Sequence, residues 1–300
     1  MGNWDAMAAE ATPGCDCTFS SNRRDTGRRG GVRDPGAVTS PLARVVPGLR
    51  AVLLFGSTLS PTTRKTTSIP DLIAIVDDVG AAAAAFHAGS MARWLAGVLP
   101  PVTFALREPD AAATLAKVNV ISFASARAAL ARPDDLSLAG RLAKQTRLLY
   151  ARDARARADA GALLAEATDV MAAATTLALP RVISLEEASR RCFALSYRAE
   201  PRPETAAQLA ARYRAFADDY RARYGAQLAS AARARGIDVV GDCLVDQRPA
   251  AVRARDAGRL ARLLFRSRVR ALARWARQLF VYRGWLPYLA GKLRRAWVAD

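Results

Sequence analysis

Two apolar runs, each bounded by turn-forming or polar residues, constrain the fold of this chain most strongly. The first run, Ala51 to Phe55, ends at Gly56-Ser57, and the second, Leu72 to Val76, begins directly after Pro70-Asp71. Short continuous apolar runs with such boundaries are typical of strands that are buried on both faces. We therefore predict two buried strands, separated by the polar segment from Ser60 to Ser68.

The remaining patterns divide the chain into an α/β part and a helical part. Residues 81–97 have a helical pattern, and residues 101–106 and 117–122 have strand patterns. After Asp134 the patterns are mostly helical, at residues 135–145, 155–177, 184–196, 204–233 and 257–282. The predicted organisation is a disordered leader, an α/β domain, a helical domain and a basic amphipathic C-terminal region, at residues 1–40, 41–150, 151–235 and 236–300.

The charge of the chain indicates an anionic partner. The 300 residues include 45 basic and 27 acidic side chains, which gives a net charge of +18. Such a surplus is typical of proteins that bind nucleic acid, nucleotides or acidic lipid. The four cysteines lack the usual zinc-ligand spacing, and the single histidine, His87, argues against a Ser-His-Asp hydrolase.

The distribution of apolar residues predicts a protein that lies on a membrane without crossing it. No stretch reaches the roughly 20 apolar residues of a transmembrane helix. The N-terminus also lacks the basic and then apolar pattern of a signal peptide. We therefore expect a cytoplasmic protein, placed peripherally on the inner face of a bacterial membrane.

The chemical signal of the sequence is the Gly-Ser turn followed by an aspartate. Gly56 lets a phosphate approach the backbone because it has no Cβ, and Ser57 offers a hydroxyl and an N–H group. Asp71 follows Ser57 by fourteen residues, and it can hold Mg²⁺ against the same phosphates if the two strands pair. This layout is that of nucleotidyltransferase folds, in which metal ions orient an attack on the nucleotide α-phosphate.

The signal departs from the usual nucleotidyltransferase pattern at one position. A second carboxylate normally follows two residues after the first, and here that residue is Ile73. Asp77 and Asp78 lie at the far end of the same predicted strand. A second metal ligand must therefore come from elsewhere, or only one metal ion binds tightly. An ordinary turn followed by an aspartate that caps a strand would give the same pattern.

A second segment resembles a known family. The strand Lys117 to Ser122 is followed by the run Asp134-Asp135-Leu136-Ser137-Leu138-Ala139-Gly140-Arg141-Leu142-Ala143-Lys144. Together these two segments resemble the peripheral, mitochondrial-type phosphatidate cytidylyltransferases, also described as the translocator assembly and maintenance family. The resemblance covers roughly residues 45 to 228 and includes the Gly-Ser turn, the single Asp71 and the pair Phe86-His87.

The resemblance implies a fold and an activity. The fold would be an α/β nucleotidyltransferase-like domain, a mainly helical, winged-helix-type domain and C-terminal amphipathic helices. The activity would be the transfer of CMP from CTP to phosphatidate, which gives CDP-diacylglycerol and pyrophosphate and depends on Mg²⁺. Gly56 and Ser57 would hold the triphosphate, Asp71 would hold the metal ion, and His87 would be a possible substrate contact. Three cations would neutralise phosphates: Lys117, Arg141 and Lys144.

The C-terminal region has the composition of an amphipathic basic helix. Residues 251–300 contain 13 basic and 2 acidic residues, so +11 of the net +18 lies there. Helical periodicity places an apolar half opposite a basic half and predicts contact with an anionic membrane surface. The predicted contact residues are Leu272, Trp275, Leu279, Arg270, Arg274 and Arg277. Packing of the apolar half on the protein's own core is the alternative.

Two other functions remain open from the sequence. A nucleotidyltransferase that acts on a soluble or protein acceptor would keep the Gly-Ser turn and Asp71 but leave the basic region without a role. A non-enzymatic nucleic-acid-binding protein would explain the charge, although we expect no nucleic-acid partner because basic strands with aromatic residues and zinc-finger spacings are absent from the sequence. The oligomeric state cannot be predicted.

Overall fold

The N-terminal half of the protein is built on a mixed sheet. The computed structural model describes residues 39, 42–59, 69–86, 101–107, 114–131, 134–200 and 204–281. Five strands form this sheet in the order β3-β4-β2-β1-β5: β1 (Leu49–Phe55), β2 (Asp71–Val76), β3 (Val102–Arg107), β4 (Thr114–Ser122) and β5 (Thr146–Ala151). The predicted leader lies outside the described residues except for residue 39, and so does His87.

The register of the sheet brings three chain segments to one edge. Strand β1 pairs antiparallel with β2, which places Phe55 opposite Asp71. Strand β2 pairs parallel with β4, which places Asp71 opposite Lys117. The end of β1, the first residue of β2 and Lys117 within β4 therefore lie side by side.

Both faces of the sheet are buried, which explains the continuous apolar runs. One face packs against helix α1 (Val79–Ala85), where Phe86 stacks on Phe104 with 4.7 Å between ring centroids. The other face carries Leu53, Ile73 and Ile121 into a larger core formed with the helices that follow. Because alternate residues of a strand point to opposite faces, a strand buried on both sides has no polar face.

The larger core is formed mainly by helices. These are α2 (Phe123–Ala131), α3 (Ser137–Leu142), α4 (Ala154–Thr175), α5 (Leu185–Arg198), α6 (Ala206–Arg214), α7 (Ala217–Arg233) and α8 (Ala250–Val281). A small antiparallel sheet of order β6-β8-β7 joins them: β6 (Val182–Ser184), β7 (Asp238–Val240) and β8 (Cys243–Val245). This core is one cluster of contacting buried residues, the first of which is Ala51 and the last Leu264. It therefore includes residues on both sides of the predicted domain boundaries at 150 and 235.

The structure confirms a mixed α/β sheet followed by a mostly helical region and corrects several details from residue 135 onwards. Strand β5 occupies a segment for which no strand was predicted, and its pairing with β1 closes the sheet on that side. The predicted helix at 135–145 is shortened to α3, and the predicted helix at 204–233 is divided between α6 and α7. No helix within the described residues is long and apolar enough to cross a membrane.

Candidate functional site

The site begins at the turn after β1, where the backbone conformation requires glycine. Gly56 has φ of +90°, a conformation that L side chains rarely adopt. A Cβ at this position would lie 3.2 Å from Asp71 Oδ2. The glycine therefore meets two demands at once, a positive φ and the close approach of a carboxylate. The open backbone at this turn lies directly beside the acidic side chain.

A salt bridge joins the first residue of β2 to Lys117 of β4. Lys117 Nζ lies 3.1 Å from Asp71 Oδ1, and the two side chains are 32% and 29% exposed. The backbone supports this register, because the Lys117 N–H donates to the carbonyl of Pro70 at 2.9 Å. The pair is thus fixed by the sheet yet still accessible to solvent. A polyanion bound at the Gly56 turn would find a cation and a carboxylate within reach.

A buried asparagine connects this pair to helix α3. Asn119 lies two residues after Lys117 on the same face of β4, and its Nδ2 donates to the Leu72 carbonyl at 3.0 Å. Its Oδ1 accepts from Arg141 at 3.1 Å and from Thr103 at 2.8 Å. Because a buried amide is stable only when its polar atoms are paired, Asn119 holds the Arg141 guanidinium at a defined position over the sheet.

Arg141 is held from three sides. Besides Asn119, its Nε donates to Glu200 Oε1 at 2.8 Å, and its guanidinium carbon lies 5.9 Å from the centre of the Phe55 ring. Phe55 is the residue directly before Gly56, so the guanidinium lies near the end of β1 where the turn begins. The guanidinium is therefore pre-oriented on the side of the sheet where Asp71 and Lys117 also point.

Lys144 lies three residues after Arg141, just beyond the end of α3, and packs against an aromatic ring. Its Nζ is 4.0 Å from the centre of the Tyr197 ring, and the side chain is largely buried. A cation over an aromatic face is stabilised by the ring quadrupole. The Lys144 carbonyl accepts from Arg223 at 2.8 Å, and the neighbouring Ala143 carbonyl accepts from the Tyr224 hydroxyl at 2.8 Å. Helix α7 therefore fixes the end of α3, and burial raises the pKa of the Tyr224 phenol.

Gly140 explains why the Ala-Gly-Arg-Leu segment contains a glycine. A Cβ on Gly140 would lie 3.0 Å from both Cα and Cβ of Ser196 on α5. Real Cβ atoms are rarely this close to a backbone, so only glycine allows α3 and α5 to approach to this distance. The approach brings Arg141 to Glu200, because Glu200 follows the end of α5.

Replacing Gly140 by alanine is expected to lower the free energy of unfolding by about 1–3 kcal/mol, because the added methyl group overpacks the contact with Ser196. Gly161→Ala is the matched control: Gly161 lies in helix α4, and no atom lies within 4 Å of the position that a Cβ would take there. That control is expected to raise stability by about 0.5–1 kcal/mol. Urea denaturation measures both, and equal effects of the two substitutions would contradict the contact.

Asp71 could supply one ligand to a magnesium ion that also binds phosphates. Mg²⁺ in such sites is held by one or two carboxylates together with substrate phosphates. Asp71 supplies one carboxylate, and its Oδ2 faces Gly56 while its Oδ1 contacts Lys117. Within the part of the chain that the structure describes, no group of three or more His, Cys, Asp or Glu side chains could hold a metal by itself. A nucleotide would have to provide the remaining ligands.

The structure brings most of the predicted site residues together. Gly56, Asp71 and Lys117 meet at the sheet edge, and Arg141 reaches the same side through Asn119. Ser57 begins a short 3-10 helix, Ser57–Leu59, next to Gly56. Lys144 lies beyond Arg141, and its position beside Tyr197 was not predicted.

Two residues that hold Arg141 were missed in the sequence. Asn119 carried a signal, because an amide in the middle of the apolar run Val118 to Ile121 must find buried partners. Glu200 had no such signal in the sequence, because it lies 59 residues beyond Arg141, between the predicted helices at 184–196 and 204–233.

The buried and exposed faces of helix α8 differ from the predicted apolar and basic halves. Arg274 and Arg277, predicted to meet a membrane, are only 8% and 6% exposed. Arg274 pairs with Asp135 and donates to Ser137 Oγ, whereas Arg277 donates to the Pro101 carbonyl at 2.8 Å. Burial lowers the pKa of Arg277 to about 10. These two arginines fasten the helix to the protein, and the membrane-contact prediction is corrected for them.

The outer face of α8 carries exposed apolar side chains instead. Leu272 and Trp275, both predicted to meet a membrane, are exposed, and Phe265 and Val269 are exposed on the same side. Arg270 is partly exposed and pairs with Asp134 at 3.2 Å. The side chain of Leu279 lies outside the described residues. The inner face buries Leu260, Leu264 and Ala271, so one apolar face of the helix packs on the protein's own core and the other is exposed.

Comparison with known proteins gives no family for this chain. No protein-family model matches it, and no curated protein matches it either. A fold alone does not determine an activity. Function is therefore inferred from the chemistry of the site.

Proposed function

We propose that this protein transfers CMP from CTP to phosphatidate at a membrane surface, giving CDP-diacylglycerol and pyrophosphate. The observation that carries the proposal is the meeting of the Gly56 turn, Asp71 and Lys117 at one sheet edge, where Lys117 Nζ lies 3.1 Å from Asp71 Oδ1. A positive-φ glycine beside a carboxylate and a cation suits a nucleoside triphosphate with its metal ion.

The proposed reaction needs positioning and charge neutralisation more than covalent chemistry. A phosphate oxygen of phosphatidate attacks the α-phosphorus of CTP. The bond between the α-phosphorus and the oxygen that bridges it to the β-phosphorus breaks, and pyrophosphate leaves with the electron pair. Mg²⁺, when bound with the nucleotide, would neutralise the charge on the transferring and leaving groups. Lys117 and Arg141 supply fixed positive charge toward the phosphates, and Asn119 with Glu200 holds Arg141 in place.

The arrangement of the second half supports the winged-helix-type interpretation. Helix α4 precedes β6, helices α5 to α7 follow, and β7 and β8 form a hairpin that pairs with β6 through β8. This region contributes Tyr197 and Glu200 to the site, where Tyr197 contacts Lys144 and Glu200 accepts a hydrogen bond from Arg141.

The outer face of α8 supports a substrate in a membrane. Arginines lie among four exposed apolar residues that recur at helical spacing. The apolar residues are Phe265, Val269, Leu272 and Trp275. Apolar side chains that enter the acyl boundary beside cations that meet headgroups are typical of helices lying in a membrane interface. We propose that this face docks the enzyme on membranes that contain phosphatidate.

The double substitution Phe265→Ser with Leu272→Ser is expected to weaken binding to vesicles containing phosphatidate about 30-fold or more, because two large side chains no longer leave water. Vesicle sedimentation measures the effect. Val182→Ser is the control, since Val182 is equally apolar and 63% exposed but lies on β6. Equal binding by the double variant and the control would place membrane contact elsewhere.

The function is tested by pyrophosphate release. Purified protein, Mg²⁺ and each of the four ribonucleoside triphosphates are mixed with vesicles that contain or lack phosphatidate. Release that selects CTP and requires phosphatidate supports the proposal. Release with another phosphorylated acceptor would keep nucleotide transfer and reject the lipid, whereas salt-sensitive binding to nucleic acid without any turnover would reject the enzyme.

A further inference from the structure

A groove lined by arginines lies at the other end of helix α3 from the candidate site. We call it the arginine groove; it encloses about 630 Å³, within the range of small-molecule sites. Leu136, just before α3, lines the groove, and Arg141, near its end, belongs to the site. Arg141 follows Leu136 by five positions, a rise of about 8 Å along a helix. The groove is therefore separate from the candidate site, although both lie next to helix α3.

The floor of the arginine groove is apolar. Helices α2, α4 and α8 contribute to it, as do residues just before α3 and just after α4. Its apolar lining includes Leu130, Leu136, Val170, Ala173, Leu177 and Leu263. Val170 and Ala173 are only partly buried, so apolar surface remains exposed inside the groove. Exposed apolar surface in a concave site favours the binding of an apolar group.

Arginines form the wall of the groove and exceed the acids around it. Four of them line it: Arg235, Arg259, Arg262 and Arg266. Asp256 is shared by Arg235 at 3.5 Å and Arg259 at 3.7 Å, and it also binds Arg248 at 2.9 Å.

The arginines of the wall differ in their acidic partners. Asp134 also lines the groove, and it lies 3.5 Å from Arg266, which is 65% exposed at its side chain. Among the described residues, no carboxylate pairs with Arg262. Arg262 therefore brings uncompensated positive charge to the wall, one helical turn from the exposed Arg266 on α8.

We infer that the arginine groove binds a single amphipathic anion, an alkyl chain that ends in a phosphate monoester. The chain lies on the apolar floor and the phosphate is held by Arg262 and Arg266, because guanidinium groups match phosphate oxygens in pairs. Phe265, which follows the lining residue Leu263 by two positions and precedes Arg266, is 68% exposed on the outer face of α8. The inference does not depend on nucleotide transfer.

Alkyl phosphates of increasing length test the inference on the whole protein. Octyl, decyl and dodecyl phosphate are titrated by calorimetry below their micellar concentrations, beside inorganic phosphate and dodecyl maltoside. One dodecyl phosphate is expected to bind per chain, and each methylene is expected to tighten binding by up to about fourfold. Inorganic phosphate that binds as tightly as dodecyl phosphate, or dodecyl maltoside that does so, would overturn the inference.

A pair of arginine substitutions locates the phosphate. Arg262→Gln is expected to weaken dodecyl phosphate binding about tenfold. Arg255→Gln on the same helix is the control, since Arg255 is also exposed but does not line the groove. Val170→Asn is expected to reduce the dependence on chain length while leaving the effect of Arg262 in place. Equal weakening by Arg262→Gln and Arg255→Gln would overturn the inference, because it would indicate attraction by net charge alone. Circular dichroism confirms that each variant is folded.

Discussion

Replacing Asp71 by asparagine is expected to lower the rate of CTP turnover about 100- to 1,000-fold, because the change removes the carboxylate of Asp71, which faces the Gly56 turn. Asparagine has nearly the same shape, so the strand pairing of β2 with β1 and β4 is expected to remain. The partner Lys117 stays partly exposed and hydrated. The loss should therefore appear in the catalytic rate and in the Mg²⁺ dependence rather than in stability.

The control for this variant is Asp238→Asn, at an exposed position on β7. It removes the same charge far along the chain from the sheet edge. Initial rates at saturating CTP and denaturation midpoints are measured for both variants. A similar rate for the two would show that Asp71 does not hold the metal ion, and a lowered midpoint for Asp71→Asn alone would assign the residue to the fold.

Replacing Arg248 by methionine is expected to lower the free energy of unfolding by about 3–5 kcal/mol, because it leaves two buried carboxylates without their main partner. Arg248 binds Asp246 at 2.8 Å and Asp256 at 2.9 Å, and the side chains of these aspartates are only 1% and 4% exposed. A hydrogen bond from Arg248 holds the pKa of Asp246 below its ordinary value. Asp246 is therefore ionised at neutral pH, and its charge would be left buried.

The ion cluster around Arg248 fastens the start of α8 to the small sheet, since Asp246 follows β8 and Asp256 lies on α8. Arg157→Met is the control, at an exposed position on α4. Urea denaturation at neutral pH is the measurement, and the control is expected to change stability by about 0.5 kcal/mol or less. If Arg248→Met lowered the free energy of unfolding no more than the control does, hydration of the two carboxylates would be replacing their ion pairs with Arg248, which would contradict the prediction.

The sequence predicted the sheet edge well because its signals are local. A continuous apolar run shows a buried strand by itself, and Gly56 and Asp71 each stand at the boundary of such a run. The contact of Asp71 with Lys117 is different, because β2 and β4 are parallel and far apart in sequence. Lys117 was predicted as a site residue only through a family resemblance, and no periodicity could have placed it beside Asp71.

Two features, strand β5 and the faces of helix α8, could not be predicted for physical reasons. Strand β5 is an edge strand whose residues are only partly buried, so its sequence lacks the continuous apolar run of β1. Its strand conformation depends on pairing with β1, which is a distant contact. The faces of α8 were assigned by hydrophobicity, yet Arg274 is buried because Asp135 and Ser137 satisfy it. An arginine's burial depends on partners that the helix's own sequence does not show.

The most direct test of the central claim is to follow the α-phosphate of CTP. Protein, Mg²⁺ and CTP labelled at the α-phosphate are incubated with vesicles containing phosphatidate, and the lipid is extracted into organic solvent. We predict that the label moves into the lipid fraction as CDP-diacylglycerol, and that label placed on the γ-phosphate stays in water as pyrophosphate. An α-label that stays in the aqueous phase with every lipid tested would contradict the account.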